Sequence, residues 1–315
     1  MPTLNWLAVP VPLVDVKAQY GRLIPQILER FEEVLDSGTL ILGPNVKAFE
    51  EEAAAYLGVP EAVGVANGTD ALVLVLEAME IGPGDEVICP SFTFYATAEA
   101  IMRTGATPVF ADIDAATLNV DPDDVAAKVT DRTKALMPVH LFGRPADLEL
   151  AERVRLLRFH GSSDKKTFIH VGTNSRLDEL QAAALRLFLG ELDGWNRARR
   201  DAAARYAELG LGEFCDLPED EPGHVYHMYV VRSPERSRYA EALSAAGIGN
   251  ASYYVTPTHL QPALVSLGVE EGTLPETERA SRENLALPMW AGITEEIQER
   301  VVSIVRDAAS VRAAS

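Results

Sequence analysis

The stretch that most constrains the fold is Val63-Gly64-Val65-Ala66-Asn67-Gly68-Thr69-Asp70-Ala71-Leu72. A short run of small and β-branched residues ends in Asn67-Gly68-Thr69, and an apolar helical pattern follows at Ala71, Leu72, Val75, Leu76 and Met79. This reads as a strand, a tight glycine turn and a helix start. The first amides of a helix have no partner inside it, and the macrodipole places partial positive charge there. Gly68 lets a ligand approach the backbone and Thr69 adds a hydroxyl, so the turn suits a phosphate. An ordinary capped helix after a strand fits the same residues, and the neighbouring sequence has to decide.

The rest of the first half repeats the strand–helix alternation. Residues 22–35 and 46–57 are predicted helices, separated by the apolar turn Leu40-Ile41-Leu42-Gly43-Pro44, which suits a subunit contact, the cover of a pocket or the core. Strands are predicted at 86–90, 108–113 and 134–141, with helices at 96–104 and 122–129 between them. Such alternation implies a largely parallel sheet with crossover helices, whose ligands gather at the strand carboxyl ends. Asn67-Gly68-Thr69, Phe92 to Tyr95 and His140 all fall there. After about residue 150 the texture changes. A basic helix over 150–159, a polar loop over 160–173, helices at 176–189 and 192–209, and strands at 224–232 and 252–255 are expected, with helices at 236–246 and 294–309. This divides the chain into an N-terminal arm and large α/β domain over 1–190 and a smaller α/β domain over 191–315.

Composition narrows the function classes. With 28 Lys plus Arg against 47 Asp plus Glu, a formal charge of -19 disfavours non-specific nucleic-acid binding. Cys89 and Cys215 are too few for a disulfide framework. Neither a leader-like opening nor a membrane-length apolar run is present, so a cytoplasmic protein without a membrane partner is expected. The glycine spacing of a dinucleotide fingerprint is missing around Gly64 and Gly68. His224 and His227 are the nearest approach to metal-ligand spacing, and in a strand they would face opposite ways, so no metal is expected.

Taken together, Leu40 to Pro44, Asn67 to Leu72, Gly84-Asp85-Glu86-Val87, Pro90 to Phe94, Val139-His140-Leu141-Phe142-Gly143, Gly172 to Asp178 and Leu287-Pro288-Met289 make the chain similar to the DegT/StrS-type sugar aminotransferases. The resemblance spans nearly the whole chain. It implies the pyridoxal-phosphate (PLP) fold of type I, a mostly parallel large-domain sheet with a smaller C-terminal α/β domain, and PLP-dependent amination of a nucleotide-linked keto-sugar by an amino-acid donor. It further implies that Gly68 and Thr69 hold the cofactor phosphate and that Phe94 stacks on the pyridine ring. Asn174 would reach the phosphate of a second subunit, which implies a homodimer. His227, Tyr253, Tyr254 and His259 fall in stretches resembling the substrate side, although each taken singly is more readily structural.

Two groups required by that chemistry are missing from their family context. One is the lysine that forms a Schiff base with the cofactor. The other is the carboxylate that keeps the pyridine nitrogen protonated. In the family both lie between the His-Leu-Phe-Gly strand and the segment matching Arg155-Leu156-Leu157-Arg158-Phe159-His160-Gly161. Here Phe142-Gly143-Arg144-Pro145-Ala146-Asp147-Leu148 runs almost directly into Leu150-Ala151-Glu152-Arg153. On the order of sixty residues, about two strand–helix units, are absent near 148–150. None of Lys17, Lys47, Lys128, Lys134, Lys165 and Lys166 stands in the lysine's place, although the loop matching Lys165 and Lys166 approaches the site in the family and leaves a substitute lysine open, and Asp147 belongs to a turn. Transamination is therefore expected to be impaired or lost, with covalent cofactor attachment not expected. The alternative is a non-catalytic protein that binds a sugar nucleotide or pairs with an intact relative.

Overall fold

The computed structural model describes residues 10–145 and 175–310. The strand–helix alternation builds a three-stranded sheet from β1 (Glu86–Pro90), β2 (Thr107–Ala111) and β3 (Thr133–Leu136). β1 is central and runs parallel to both neighbours, in the order β2-β1-β3. Every residue of β1 is buried, as a strand covered on both faces requires. We number the helices α1 (Val16–Tyr20), α2 (Ile24–Ser37), α3 (Pro44–Leu57), α4 (Gly68–Ala78), α5 (Ala96–Arg103) and α6 (Pro122–Ala127). Val73 and Leu76 of α4, Ala98 and Ile101 of α5, and Val87, Cys89 and Phe110 of the sheet share one core. Burial pushes the Cys89 thiol up to about 12.

The second half supplies α7 (Glu179–Glu208), β4 (Tyr229–Arg232), α8 (Arg236–Ala245), α9 (Pro275–Glu283), β5 (Asn284–Leu287) and α10 (Glu295–Ser310). β4 and β5 pair antiparallel. A second core gathers Tyr206, Leu211, Tyr229, Leu243, Trp290 and Val301, and Val11 of the N-terminal arm joins it by bridging to Ile248.

Several local expectations are corrected. Val63 to Ala66 is not a strand: the Gly64 amide donates to Glu50 Oε1 at 2.7 Å and the Ala66 amide to Ser175 Oγ at 2.9 Å, in place of a neighbouring strand. The expected helices at 176–189 and 192–209 are one 30-residue helix, α7, which runs through residue 190. Ser252 to Val255 is irregular, because Asn284 takes both backbone groups of Tyr253, at 2.7 and 2.9 Å. The strand predicted from 224 begins only at Tyr229, after Tyr226 adopts a left-handed φ of 45°. The expected helix at 150–159 and the loop after it lie outside the described residues.

Buried Glu179, at the start of α7, accepts the amides of Asn45 at 2.8 Å and Val46 at 2.9 Å. It thereby caps α3, whose own N-cap, Gly43, has no side chain to do so. The 40–42 turn before it stands out in solvent, with Leu42 62% exposed at a left-handed φ of 53°.

Candidate functional site

The helix start predicted at Asn67 forms as expected in its local chemistry. Asn67 is extended and caps α4, its Oδ1 accepting the Asp70 amide at 2.9 Å while its carbonyl accepts the Ala71 amide at 3.1 Å. That leaves the Gly68 and Thr69 amides without a partner among the described residues. Gly68 is exposed, and a Cβ placed there would meet nothing within 4 Å. Asp70, the acidic residue of the first turn, accepts from Asn67 Nδ2 at 3.0 Å and faces Arg103 at 3.9 Å, which offsets part of its charge. The result is a pair of unpartnered amides at the positive end of a helix, where negative charge is favoured.

At the carboxyl end of β1 the chain turns through Ser91 to Tyr95 into α5. Phe92 is buried, whereas Phe94 is 65% exposed and presents its ring to solvent. The loop is clamped from the other half of the chain. Thr258 donates its amide to the Ser91 carbonyl at 3.1 Å and its hydroxyl to the Thr93 carbonyl at 3.2 Å. His259 Nδ1 lies 2.7 Å from Ser91 Oγ, and its Nε2 lies 3.5 Å from Glu278. Burial lowers the His259 pKa more than nearby Glu278 raises it. At 1% exposure His259 has no surface to offer a substrate, and it serves to hold the Ser91 loop.

Tyr253 and Tyr254 are brought together with the sheet ends. Tyr254 stacks on Phe142 at 6.1 Å and meets Phe92 edge-on at 5.3 Å, while Tyr253 lies 5.9 Å from Phe142. His227 is exposed on the segment before β4, its backbone against Gly143. Among the described residues no hydrogen bond or ring contact joins the Asn67–Thr69 turn to Phe94, to His227 or to this aromatic group. Asn174, Asp147, Lys165 and Lys166 lie outside the described residues.

The four described lysines stand apart from both parts of the site. Lys47 pairs with Glu51 at 3.9 Å and Lys128 with Asp124, while Lys17 and Lys134 are exposed. Sequence reasoning missed the residues that hold the site's framework. Asn119 accepts the Leu141 amide at 3.2 Å and donates to the Pro145 carbonyl at 2.9 Å, spanning the 141–145 turn. Asp112, at the exit of β2, caps α9 through the amides of Glu276 at 3.0 Å and Thr277 at 2.7 Å. Asp112 near the end of the strand predicted at 108–113 and Asn119 in the loop before the helix predicted at 122–129 were the available signals, since Asp and Asn favour turns.

The parallel sheet flanked by helices, with a smaller antiparallel pair in the second half, matches the architecture of PLP-dependent aminotransferases of fold type I. The model of the DegT/DnrJ/EryC1/StrS aminotransferase family matches residues 22–150 and 146–306, and the chain belongs to that family. The pleiotropic regulatory protein of Geobacillus stearothermophilus is 38% identical over 364 residues, covering 94% of this chain and 98% of that protein. The dTDP-3-amino-3,4,6-trideoxy-alpha-D-glucose transaminase of Streptomyces venezuelae is 36% identical, covering 94% and 96%. The X-ray structure of S. venezuelae DesV in complex with a ketimine intermediate matches with a TM-score of 0.86 at 36% identity, covering 95% of this chain and 98% of that one.

Proposed function

We propose that this chain descends from enzymes that aminate nucleotide-linked keto-sugars. In this reading it keeps their cofactor-phosphate turn and ring-facing aromatic but has lost the lysine and the pyridine-binding carboxylate. It is then a non-catalytic member that binds PLP or a sugar nucleotide without covalent attachment. The observation that carries this reading is the break in the family match. The two matched segments meet at 146–150, and the alignment to the G. stearothermophilus relative runs over 364 positions, at least 49 more than the 315 residues of this chain. The sheet supports the same reading. Among the described residues β3 has a strand neighbour on one side only and Val63 to Ala66 has none, as expected if the strands between them are gone.

Gly68 and Thr69 would hold the phosphate by their amides, and the exposed face of Phe94 would pack on the ring. PLP supplies an electron sink when bound, but the described residues offer it neither an amine nor a carboxylate partner. Tyr253, Tyr254 and His227 remain the side chains of the substrate side, with His259 behind them as support. The exposed Leu40, Ile41 and Leu42 support a homodimer built on that turn. No helix among the described residues is long and apolar enough to cross a membrane.

The test is to titrate the purified chain with PLP, record the absorbance spectrum, reduce with borohydride and map any modified peptide. Noncovalent binding with no reduced lysine is expected, along with no detectable amination of a dTDP-linked keto-sugar by glutamate. One lysine labelled at full occupancy, with turnover, would restore the enzyme reading and end this one.

A further inference from the structure

Asn67 is the one asparagine in the sequence that glycine follows. With no side chain at the next position, nothing shields the backbone nitrogen there, and the chain can swing it toward the asparagine's own side-chain carbonyl. Both residues are exposed, and a Cβ placed at Gly68 would meet nothing within 4 Å, so solvent reaches the amide between them. That amide is one of the two orphan donors at the start of α4 and has no acceptor among the described residues. Its nitrogen therefore reacts without breaking a backbone hydrogen bond. Asn284 is the opposite case. It is fully buried, leucine follows it, and its side chain bonds to Tyr253 at 2.7 and 2.9 Å and to the Ala280 carbonyl at 2.8 Å.

The surroundings of this bond favour attack of the Gly68 nitrogen on the Asn67 side chain. The nitrogen stands at the positive end of α4, which favours the negative charge it carries once deprotonated. Asn67 Oδ1 accepts the Asp70 amide at 2.9 Å, so a donor already faces the oxygen on which charge collects when Cγ is attacked. Asn67 Nδ2 donates to Asp70 Oδ2 at 3.0 Å. These two bonds also hold the side chain at the cap, so the attack waits for the first turn of α4 to loosen. Helix ends open at far lower cost than a core does, and Asn67 is at such an end.

We propose that Asn67–Gly68 is a site of spontaneous modification in the folded chain, where deamidation places a negative charge in the turn before α4. The deprotonated Gly68 nitrogen attacks Asn67 Cγ, the Cγ–Nδ2 bond breaks, and the departing nitrogen takes a proton from water and leaves as ammonia. Water then opens the cyclic imide at one of its two carbonyls, giving aspartate or, with the backbone routed through the side chain, isoaspartate. This chemistry needs no cofactor in the turn. Aspartate caps a helix as asparagine does, so α4 persists, while the new charge repels a phosphate at the same amides. The test incubates the folded full chain at mildly alkaline pH and follows every asparagine by peptide mapping and mass spectrometry, with isoaspartate read by methyltransferase labelling. Conversion at Asn67 ahead of the other asparagines is expected, with both products present. Gly68→Ala, whose added methyl meets open space, should slow it at least tenfold. Three results would overturn the proposal: Asn67 intact in the folded chain while it converts in the urea-unfolded chain, an equal rate in Gly68→Ala, or earlier conversion of another asparagine.

Discussion

Replacing His224 by asparagine should remove a specific part of the protein's acid sensitivity. His224 is buried, stacks on Tyr226 at 3.8 Å and accepts the Tyr226 amide on Nδ1 at 3.0 Å. Burial, and then the nearby Arg144 charge, push its pKa down to about 4, with Asp220 opposing. Protonation would also turn the accepting nitrogen into a donor facing another donor. In the unfolded chain the imidazole titrates near 6.5, so as pH falls the unfolded state takes up the proton first. The contribution of neutral His224 is therefore full above about pH 6.5 and is lost progressively down to about 4. Between pH 7 and pH 5 the loss comes to about 2 kcal/mol. An unfolding entropy of about 2.1 cal/mol/K per residue turns this into a Tm shift of about 3 °C for a 315-residue chain. Asparagine can accept the same amide two residues on without titrating. His224→Asn should lower Tm at pH 7 through lost stacking, and the gap to wild type should shrink by about 3 °C at pH 5. The assay is differential scanning fluorimetry of both proteins across that range. Parallel pH profiles would refute the reasoning.

Glu179→Ala removes two charge-assisted bonds and leaves the Asn45 and Val46 amides unpaired, which should cost about 3 kcal/mol and lower Tm by about 5 °C, whereas a change under 1 °C would discount the cap. Phe94→Ala should weaken PLP binding about tenfold, measured by fluorescence titration, with little change in Tm because the ring is mostly exposed. On the proposed homodimer, Leu42→Asp should shift the chain to monomer in sedimentation velocity; aspartate tolerates the left-handed backbone there, so a monomeric wild type or an unchanged variant dimer would refute that contact. Cys89 and Cys215, both buried with thiols pushed up to about 12, should resist iodoacetamide in the native protein at pH 8 and react on denaturation.

The elements of the β1–α6 region were legible because their signals are local. The helix predicted at 96–104 forms over 96–103, and the strand predicted at 108–113 forms over 107–111, each bounded by its own glycine, proline or capping residue. Val63 to Ala66 shows the limit. Its β-branched pattern is real, but a strand exists only where a neighbour supplies a ladder. Tyr254 shows another. Its left-handed φ of 53° is held by the Asn284 clasp on Tyr253 and by stacking on Phe142, more than one hundred positions earlier in the chain. For the site, sequence adjacency placed His259 beside the tyrosines as a substrate contact. Burial separates them, since the tyrosines keep partial exposure and the histidine turns inward to Ser91. Burial depends on packing across the fold, which no local pattern encodes.

The carboxylate that completes α3 comes from a residue 134 positions later in the chain. At synthesis rates of about 5–20 residues per second, that separation delays it by on the order of ten seconds. Until then the first turn of α3 has two amides facing only water. As the chain emerges α3 lacks this cap, and its completion waits for α7, which makes the α3–α7 contact a late, long-range step of the kind that slows folding.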